Sequence, residues 1–87
     1  MSRQLVEEIV VGPHPLTGQR TAIALPVIPE DAPNDVQEGV ARQRVAATTG
    51  RCPCGAVVDW NAARVRHEDD CPAEKTRLRR ACRRWLR

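Results

Sequence analysis

Phenylalanine and tyrosine are absent from this chain, and its only aromatic side chains are Trp60 and Trp85. Much of the apolar fraction is alanine and valine, so few side chains are large enough to fill a core, and we expect both tryptophans to be buried. A chain of 87 residues forms one domain at most, and a domain this small is marginally stable unless something cross-links it. The composition therefore predicts a stabilising device beyond the hydrophobic core.

Long apolar runs are also missing. No stretch of 18 consecutive apolar residues occurs, so the sequence contains no candidate membrane span. Residues 1–10 carry two glutamates and no apolar run long enough for a signal peptide, which favours a cytoplasmic protein. Ser2 is the only serine, so no serine lies beside a histidine that would activate it.

Three of the four cysteines lie in the segment 51–71, RCPCGAVVDWNAARVRHEDDC. Cys52 and Cys54 flank one proline, and three residues separate His67 from Cys71. Thiolate sulfur and imidazole nitrogen are the ligands that zinc prefers, and a structural zinc site fills all four positions with protein. The pattern predicts a Cys₃His site for structural Zn²⁺, although its C-x-C start is tighter than the usual C-x₂₋₄-C. Such a closed site leaves no open position for catalysis, so we expect no enzyme.

Other roles for the cysteines and for the remaining histidine stay open. Two disulfides would require an oxidising compartment, and Cys52 with Cys54 would also suit a redox pair or free thiols. Cys82 lies on the apolar side of the last helix, where a core position is favoured, with replacement of His67 as ligand the alternative. His14 stands alone in a turn, and we expect it at the surface.

The N-terminal part predicts a β-hairpin followed by a linker. Residues 4–11 and 20–28 are typical of short strands, and the intervening GPHPLTGQ is typical of a turn. The sequence thus predicts an α+β protein with a hairpin arm at 1–28, a proline-rich acidic linker at 29–35 and a zinc-binding module at 36–87.

Two helices are predicted in the C-terminal part. The first follows a capping-box spacing between Asp35 and Glu38 and extends over VQEGVARQRVAA, although Gly39 weakens it. The second is predicted to begin at Pro72, capped by Asp70 or Cys71, and to continue to the end of the chain. Its apolar stripe has helical spacing and consists of Leu78, Ala81, Cys82 and Trp85.

Charge is divided unevenly along the chain. Residues 1–40 hold two arginines against six acidic residues, a balance of −4, whereas the whole chain carries +3. The last sixteen residues contain one acidic residue, Glu74, and seven basic ones: Lys75, Arg77, Arg79, Arg80, Arg83, Arg84 and Arg87. This asymmetry indicates a partner for the basic end, although a basic run is also typical of a merely solvated face.

At CPCGA, at HEDDCP and in its Arg-rich helix, the chain resembles small zinc-finger proteins encoded by actinobacterial phages and their hosts. Many of those carry a C-x₁₋₂-C-G-A element followed by H-x₃-C. The resemblance covers residues 51–72 and implies metal ligation by Cys52, Cys54, His67 and Cys71. It assigns no biochemical role.

Two functional hypotheses follow. The first is nucleic-acid binding, with duplex DNA favoured, through the seven basic residues of the last helix. The second is an interaction or structural module, such as a phage accessory protein or an adaptor on a host protein, in which the helix contacts an acidic protein surface and the exposed hairpin edge pairs with another sheet. Binding of the last helix to a membrane surface is disfavoured by its narrow apolar stripe.

Overall fold

The computed structural model of the protein describes residues 6–62 and 64–86. Within them, two antiparallel strand pairs and two helices form a small α+β fold, which confirms the predicted fold class, hairpin included. In chain order the elements are β1 (Glu7–Pro13), β2 (Arg20–Pro26), α1 (Asn34–Thr49), β3 (Val58–Asp59), β4 (Arg64–Val65) and α2 (Lys75–Trp85).

The N-terminal hairpin pairs β1 with β2 in a register that begins at Glu7↔Pro26 and ends at Pro13↔Arg20. Side chains alternate between two faces, as the β period requires. Leu25 is 3% exposed on the face that turns towards α1, whereas Ile9 is 67% exposed on the other face. The predicted strands extended to residues 4 and 28; residues 4 and 5 lie outside the described residues.

The hairpin is attached to the rest of the protein at two places. The Arg44 guanidinium forms an ion pair with Glu8 at 2.7 Å and donates a hydrogen bond to the carbonyl oxygen of Pro26 at 2.9 Å. At the turn, His14 stacks at a tilt on Trp60, with ring centroids 4.5 Å apart. His14 is therefore a half-buried contact residue and does not stand alone at the surface, and Trp60 is half-buried against it.

Helix α1 begins two residues earlier than predicted because Pro33 occupies its N-cap with a φ of −58°, an angle that the proline ring favours. The predicted capping box is wrong, since Asp35 already lies in the first turn and Glu38 instead forms an ion pair with Arg42 at 2.9 Å. The helix ends before Gly50, which has a φ of 81° and donates its N–H to a helix carbonyl.

Helix α2 begins at Lys75, and the predicted start at Pro72 with a cap at Asp70 or Cys71 is wrong. Glu74 is the cap, because its carboxylate accepts hydrogen bonds from the backbone N–H groups of Thr76 and Arg77, each at 3.0 Å. These two bonds lower the pKa of Glu74. Residues 71–74 form a separate turn, closed by the N–H of Glu74 and the carbonyl of Cys71 at 3.0 Å.

Two small clusters contain most of the buried apolar residues in the described part of the chain. The first lies between the helices and is formed by Val36, Val40 and Ala81, with Trp85 half-buried against it. The second contains two of the cysteines and consists of Ala46, Cys52, Cys71 and Ala73. Since side chains this small bury little apolar area, the second cluster contributes little hydrophobic stabilisation by itself.

Gly39 is required by the close approach of α1 to the segment before α2. A Cβ atom at this position would lie 2.5 Å from the carbonyl oxygen of Pro72 and 2.7 Å from Cδ1 of Leu78. Glycine has a low helix propensity, but tertiary structure explains its presence at this position. A backbone carbonyl cannot move aside as a flexible side chain can, so a larger residue would clash with Pro72.

The variant Gly39→Ala should therefore lower the free energy of unfolding, by roughly 1–3 kcal/mol, because overpacking against backbone outweighs the gain of about 1 kcal/mol in helix propensity. Urea denaturation of the metal-loaded protein measures this. Gly12→Ala is the matched control, since nothing lies within 4 Å of a Cβ at that position, and should change stability by no more than about 0.5 kcal/mol. A Gly39→Ala protein as stable as the wild type would contradict the close approach.

Candidate metal centre

The first pair of cysteines lies in a tight turn after α1. The N–H of Cys52 donates to the carbonyl of Ala56 at 2.8 Å, and the N–H of Gly55 donates to the carbonyl of Cys52 at 2.9 Å. Gly55 has a φ of 101°, in the region that glycine adopts without strain. The glycine directly after Cys54 therefore lets the chain fold back so that both sulfurs face the same side.

The second pair is brought back by the short hairpin β3–β4, in which Val58 pairs with Val65. The Asp59 carboxylate stabilises its turn by accepting hydrogen bonds from the N–H groups of Asn61 and Ala62, at 3.1 and 3.2 Å. After β4 the chain turns again, with the N–H of Cys71 bonded to the carbonyl of Glu68 at 2.9 Å. This return places the second pair of side chains opposite the first.

The four predicted ligands, Cys52, Cys54, His67 and Cys71, come together as one group that could hold a metal ion. Their ligand atoms all lie within 4.8 Å of one another. The Cys52 and Cys71 sulfurs are 3.7 Å apart, and Nδ1 of His67 is 3.6 Å from the sulfurs of both Cys54 and Cys71. A tetrahedron with zinc bond lengths of about 2.3 Å to sulfur and 2.0 Å to nitrogen has S···S edges of about 3.8 Å and S···N edges of about 3.5 Å.

The two cysteines of the first turn differ in protonation. Hydrogen bonds from the backbone N–H groups of Glu68 and Ala56, together with the contact with His67, lower the pKa of the Cys54 thiol to about 6. Burial raises the pKa of the Cys52 thiol to about 11. At neutral pH, Cys54 is thus a preformed thiolate, whereas Cys52 must release its proton when a metal ion binds.

Arg42 of α1 reaches the group from outside the predicted segment. Its Nη1 donates to the Cys71 sulfur at 3.6 Å, while its Nη2 pairs with Glu38 at 2.9 Å. Three thiolates and a divalent ion carry a net charge of −1, which a guanidinium beside them offsets. Sequence reasoning missed Arg42 because it precedes Cys71 by 29 positions and no local motif marks it.

No two of the four cysteines form a disulfide bond. All four are free thiols, and the 3.7 Å between the sulfurs of Cys52 and Cys71 exceeds the ~2.05 Å of a disulfide bond. Cys82 is not in the Cys₃His group; it contacts the cluster between the two helices, where burial raises the pKa of its thiol.

The predicted nucleic-acid-binding residues lie exposed along α2, except that Arg87 is outside the described residues. Arg84 forms an ion pair with Asp35 at 3.1 Å, and Nε of Arg77 donates to the carbonyl of Asp69 at 3.0 Å. Within residues 6–62 and 64–86, no ion pair or hydrogen bond engages the remaining four side chains, those of Lys75, Arg79, Arg80 and Arg83.

An open groove of about 870 Å³ lies beside the Cys₃His group. Its floor includes Trp60 and His67, and its charged side chains are Arg64 and Lys75. The groove therefore connects the Cys₃His group to the first residue of the basic helix.

In the part of the chain that the structure describes, neither helix has the length and apolar character needed to cross a membrane. Comparisons with protein-family models, with curated proteins and with solved structures gave no match for this chain. The resemblance to phage zinc-finger proteins therefore stays a prediction.

Metal removal should unfold the second core cluster, because binding free energy in such a site is folding free energy. We expect one Zn²⁺ per chain and a lower melting temperature after chelation. Affinity should fall as pH decreases, since protons compete at Cys52 throughout the neutral range and also at Cys54 below about 6. Metal analysis and thermal melts from pH 5 to 8 measure this.

Cys52→Ser should lose the metal, whereas the matched control Cys82→Ser should retain it, because Cys82 contacts the cluster between the helices. A chain that binds no metal, or a melting curve unchanged by chelation, would contradict the site.

Arg42→Gln should weaken zinc binding about tenfold or more, because it removes the cation next to Cys71 while leaving all four ligands in place. Arg42→Lys keeps the charge and should restore part of the affinity. Competition with a chromophoric chelator measures both. Equal affinity for Arg42→Gln and the wild type would show that the contact with Cys71 does not affect the metal.

Proposed function

We propose that this protein is a zinc-stabilised module that binds nucleic acid, with duplex DNA as the favoured form, through one face of helix α2. The observation that carries this proposal is a row of exposed basic side chains, without partners among the described residues, on a helix whose base adjoins the Cys₃His group. Zinc is proposed as the metal because the donor set is sulfur and nitrogen and three of the distances between donor atoms, at 3.6, 3.6 and 3.7 Å, are close to the edges of a zinc tetrahedron.

The six described basic residues of α2 divide into two stripes. Lys75, Arg79 and Arg83 follow one another at intervals of four residues, which places neighbouring charges about 6 Å apart along the helix axis. The other stripe contains Arg77, Arg80 and Arg84, two of which already bond to Asp69 and Asp35. The first stripe is therefore the one whose charges are free to meet a ligand, among the residues that the structure describes.

Helix α2 is a fixed platform for that stripe. Leu78 and Ala81, on another side of the helix, are 6% and 4% exposed, so the helix cannot rotate without exposing them. At its base, Glu74 caps the helix and also bonds to the carbonyl of Cys71, one of the four proposed ligands. Side chains presented on a fixed helix lose less freedom on binding than those on a mobile tail, which favours affinity.

Duplex DNA is favoured over single strands because both tryptophans are half-buried and already make contacts within the protein. Trp60 stacks on His14, and Trp85 contacts the cluster between the helices. Recognition of single strands usually requires exposed aromatic rings on which bases stack. Arginine on a helix, by contrast, suits both phosphate oxygens and guanine edges in a duplex.

Replacing Lys75, Arg79 and Arg83 together by glutamine should weaken duplex binding and reduce the slope of log K against log salt by about 2.7, if each contacts one phosphate. Fluorescence anisotropy of labelled duplex with the zinc-loaded protein at several salt concentrations measures this. The matched control replaces Arg77, Arg80 and Arg84 by glutamine, removes the same charge and should reduce the slope less.

Equal loss in the two triple variants would show that net charge alone drives binding. No binding to DNA or RNA at low salt would contradict the proposed function. Recovery of an acidic protein with the wild type, and not with the first triple variant, would favour the protein-interaction role instead.

A further inference from the structure

The outer edge of β1 presents backbone groups that no strand in the described residues accepts. The N–H of Val27 bonds to the carbonyl of Val6 at 2.7 Å, and the N–H of His14 bonds to the carbonyl of Gln19 at 2.8 Å. Because hydrogen bonding alternates along an antiparallel pair, the even-numbered residues of β1 point their N–H and C=O groups at β2. The odd-numbered residues Glu7, Ile9 and Val11 therefore point theirs outward.

The other edge of the hairpin, on β2, is contacted by a helix at one end. Strand β2 packs against α1, and Arg44 of that helix donates to the carbonyl of Pro26. Strand β1 has no comparable helix beside it in the described part of the chain. Ile9 and Val11 are 67% and 53% exposed, which makes β1 an apolar strand with a free edge, the kind that pairs with another strand.

From this edge we infer that β1 pairs antiparallel with β1 of a second copy of this chain, about a twofold axis through Val10. Ile9 then lies opposite Val11 of the other copy and exchanges two hydrogen bonds with it, and the symmetry repeats this pair. The N–H of Glu7 donates to the carbonyl of Pro13 of the other copy, and the symmetry repeats this bond as well. The two copies are therefore joined by about six hydrogen bonds in a four-stranded sheet.

Charge complementarity favours a second copy as the partner. In this register Glu7 of one copy lies opposite Pro13 of the other copy. Pro13 pairs with Arg20 within its own hairpin. Glu7 of one copy and Arg20 of the other therefore lie in the same row, that is, among the residues that lie side by side across the four strands. Glu8 lies opposite Gly12. No acidic residue of β1 faces another, which avoids the like-charge pairs that destabilise sheets.

The same register separates apolar from charged rows. The two central rows each hold Ile9 of one copy, Val11 of the other and the alanines Ala22 and Ala24 that flank them. An axis through Ile9 would instead place Glu7 beside Val11, within the apolar rows. The sequence of the strand therefore fits itself best when the axis passes through Val10.

A single strand edge makes a small interface, so the dimer should be weak and depend on protein concentration. Sedimentation of the metal-loaded protein over about a hundredfold range of concentration should show monomer passing to dimer. Amide exchange gives a direct readout: the N–H groups of Ile9 and Val11 should become protected only at high concentration. The N–H of Val10, which already bonds within the hairpin, should be protected at both.

The variant Val11→Pro removes one outward N–H and leaves the bonds between β1 and β2 intact, since proline is tolerated on an edge strand. It should raise the dimer dissociation constant by about tenfold or more, because two hydrogen bonds are lost by symmetry. Ala22→Pro is the matched control, because its N–H points to the opposite edge of the hairpin; it should dimerise like the wild type.

A charge exchange tests the register. Glu7→Arg should weaken the dimer by placing it in a row with Arg20, and the double variant with Arg20→Glu should restore it. A protein that remains monomeric at every concentration would overturn the proposal, as would a dimer that survives Val11→Pro. Failure of the double variant to recover would overturn the axis through Val10. None of these outcomes depends on whether α2 binds nucleic acid.

Discussion

The approach of the Cys52 and Cys71 sulfurs to 3.7 Å is the contact on which the rest of the structure depends. It joins the end of α1 to the start of α2 across 19 residues of chain, and both side chains are almost fully buried. The other buried members of their cluster, among the described residues, are two alanines, and Cys54, Ala56 and Val58 pack half-buried against it. In a chain without phenylalanine or tyrosine, buried sulfur takes the place that an aromatic ring fills in other small domains, and a metal ion, which the Cys₃His group could hold, would stabilise that arrangement.

Patterns within a short stretch of sequence could be predicted, and contacts between distant stretches could not. The four candidate metal ligands could be predicted because they form two pairs that are close in sequence. Cys52 and Cys54 belong to the pattern CPCG, and His67 and Cys71 belong to HEDDCP. The hairpin could be predicted because the prolines and glycines of GPHPLTGQ mark a turn between two short strands. In contrast, the contact of Arg42 with Cys71 joins different elements, and nothing near Arg42 indicates it.

The starts of both helices were predicted incorrectly, and the cause is again the tertiary structure. Several residues near each helix start could cap it, and the choice between them is made by where the chain must go. Glu74 caps α2 because the preceding turn is used to direct Cys71 towards the other sulfurs. Gly39 is another case in which tertiary structure decides. Glycine is unfavourable inside a helix, but α1 lies so close to the carbonyl of Pro72 that a larger residue would clash with it.

The stacking of His14 on Trp60 has a practical consequence for anyone who follows this protein in solution. With Trp60 at the junction between hairpin and metal centre, and Trp85 between the two helices, every near-ultraviolet aromatic signal of the chain arises at one of two distinct contacts. A change in one tryptophan's emission without the other would report partial opening. The scarcity of aromatic residues, a weakness for the core, thus provides the protein with two built-in optical probes.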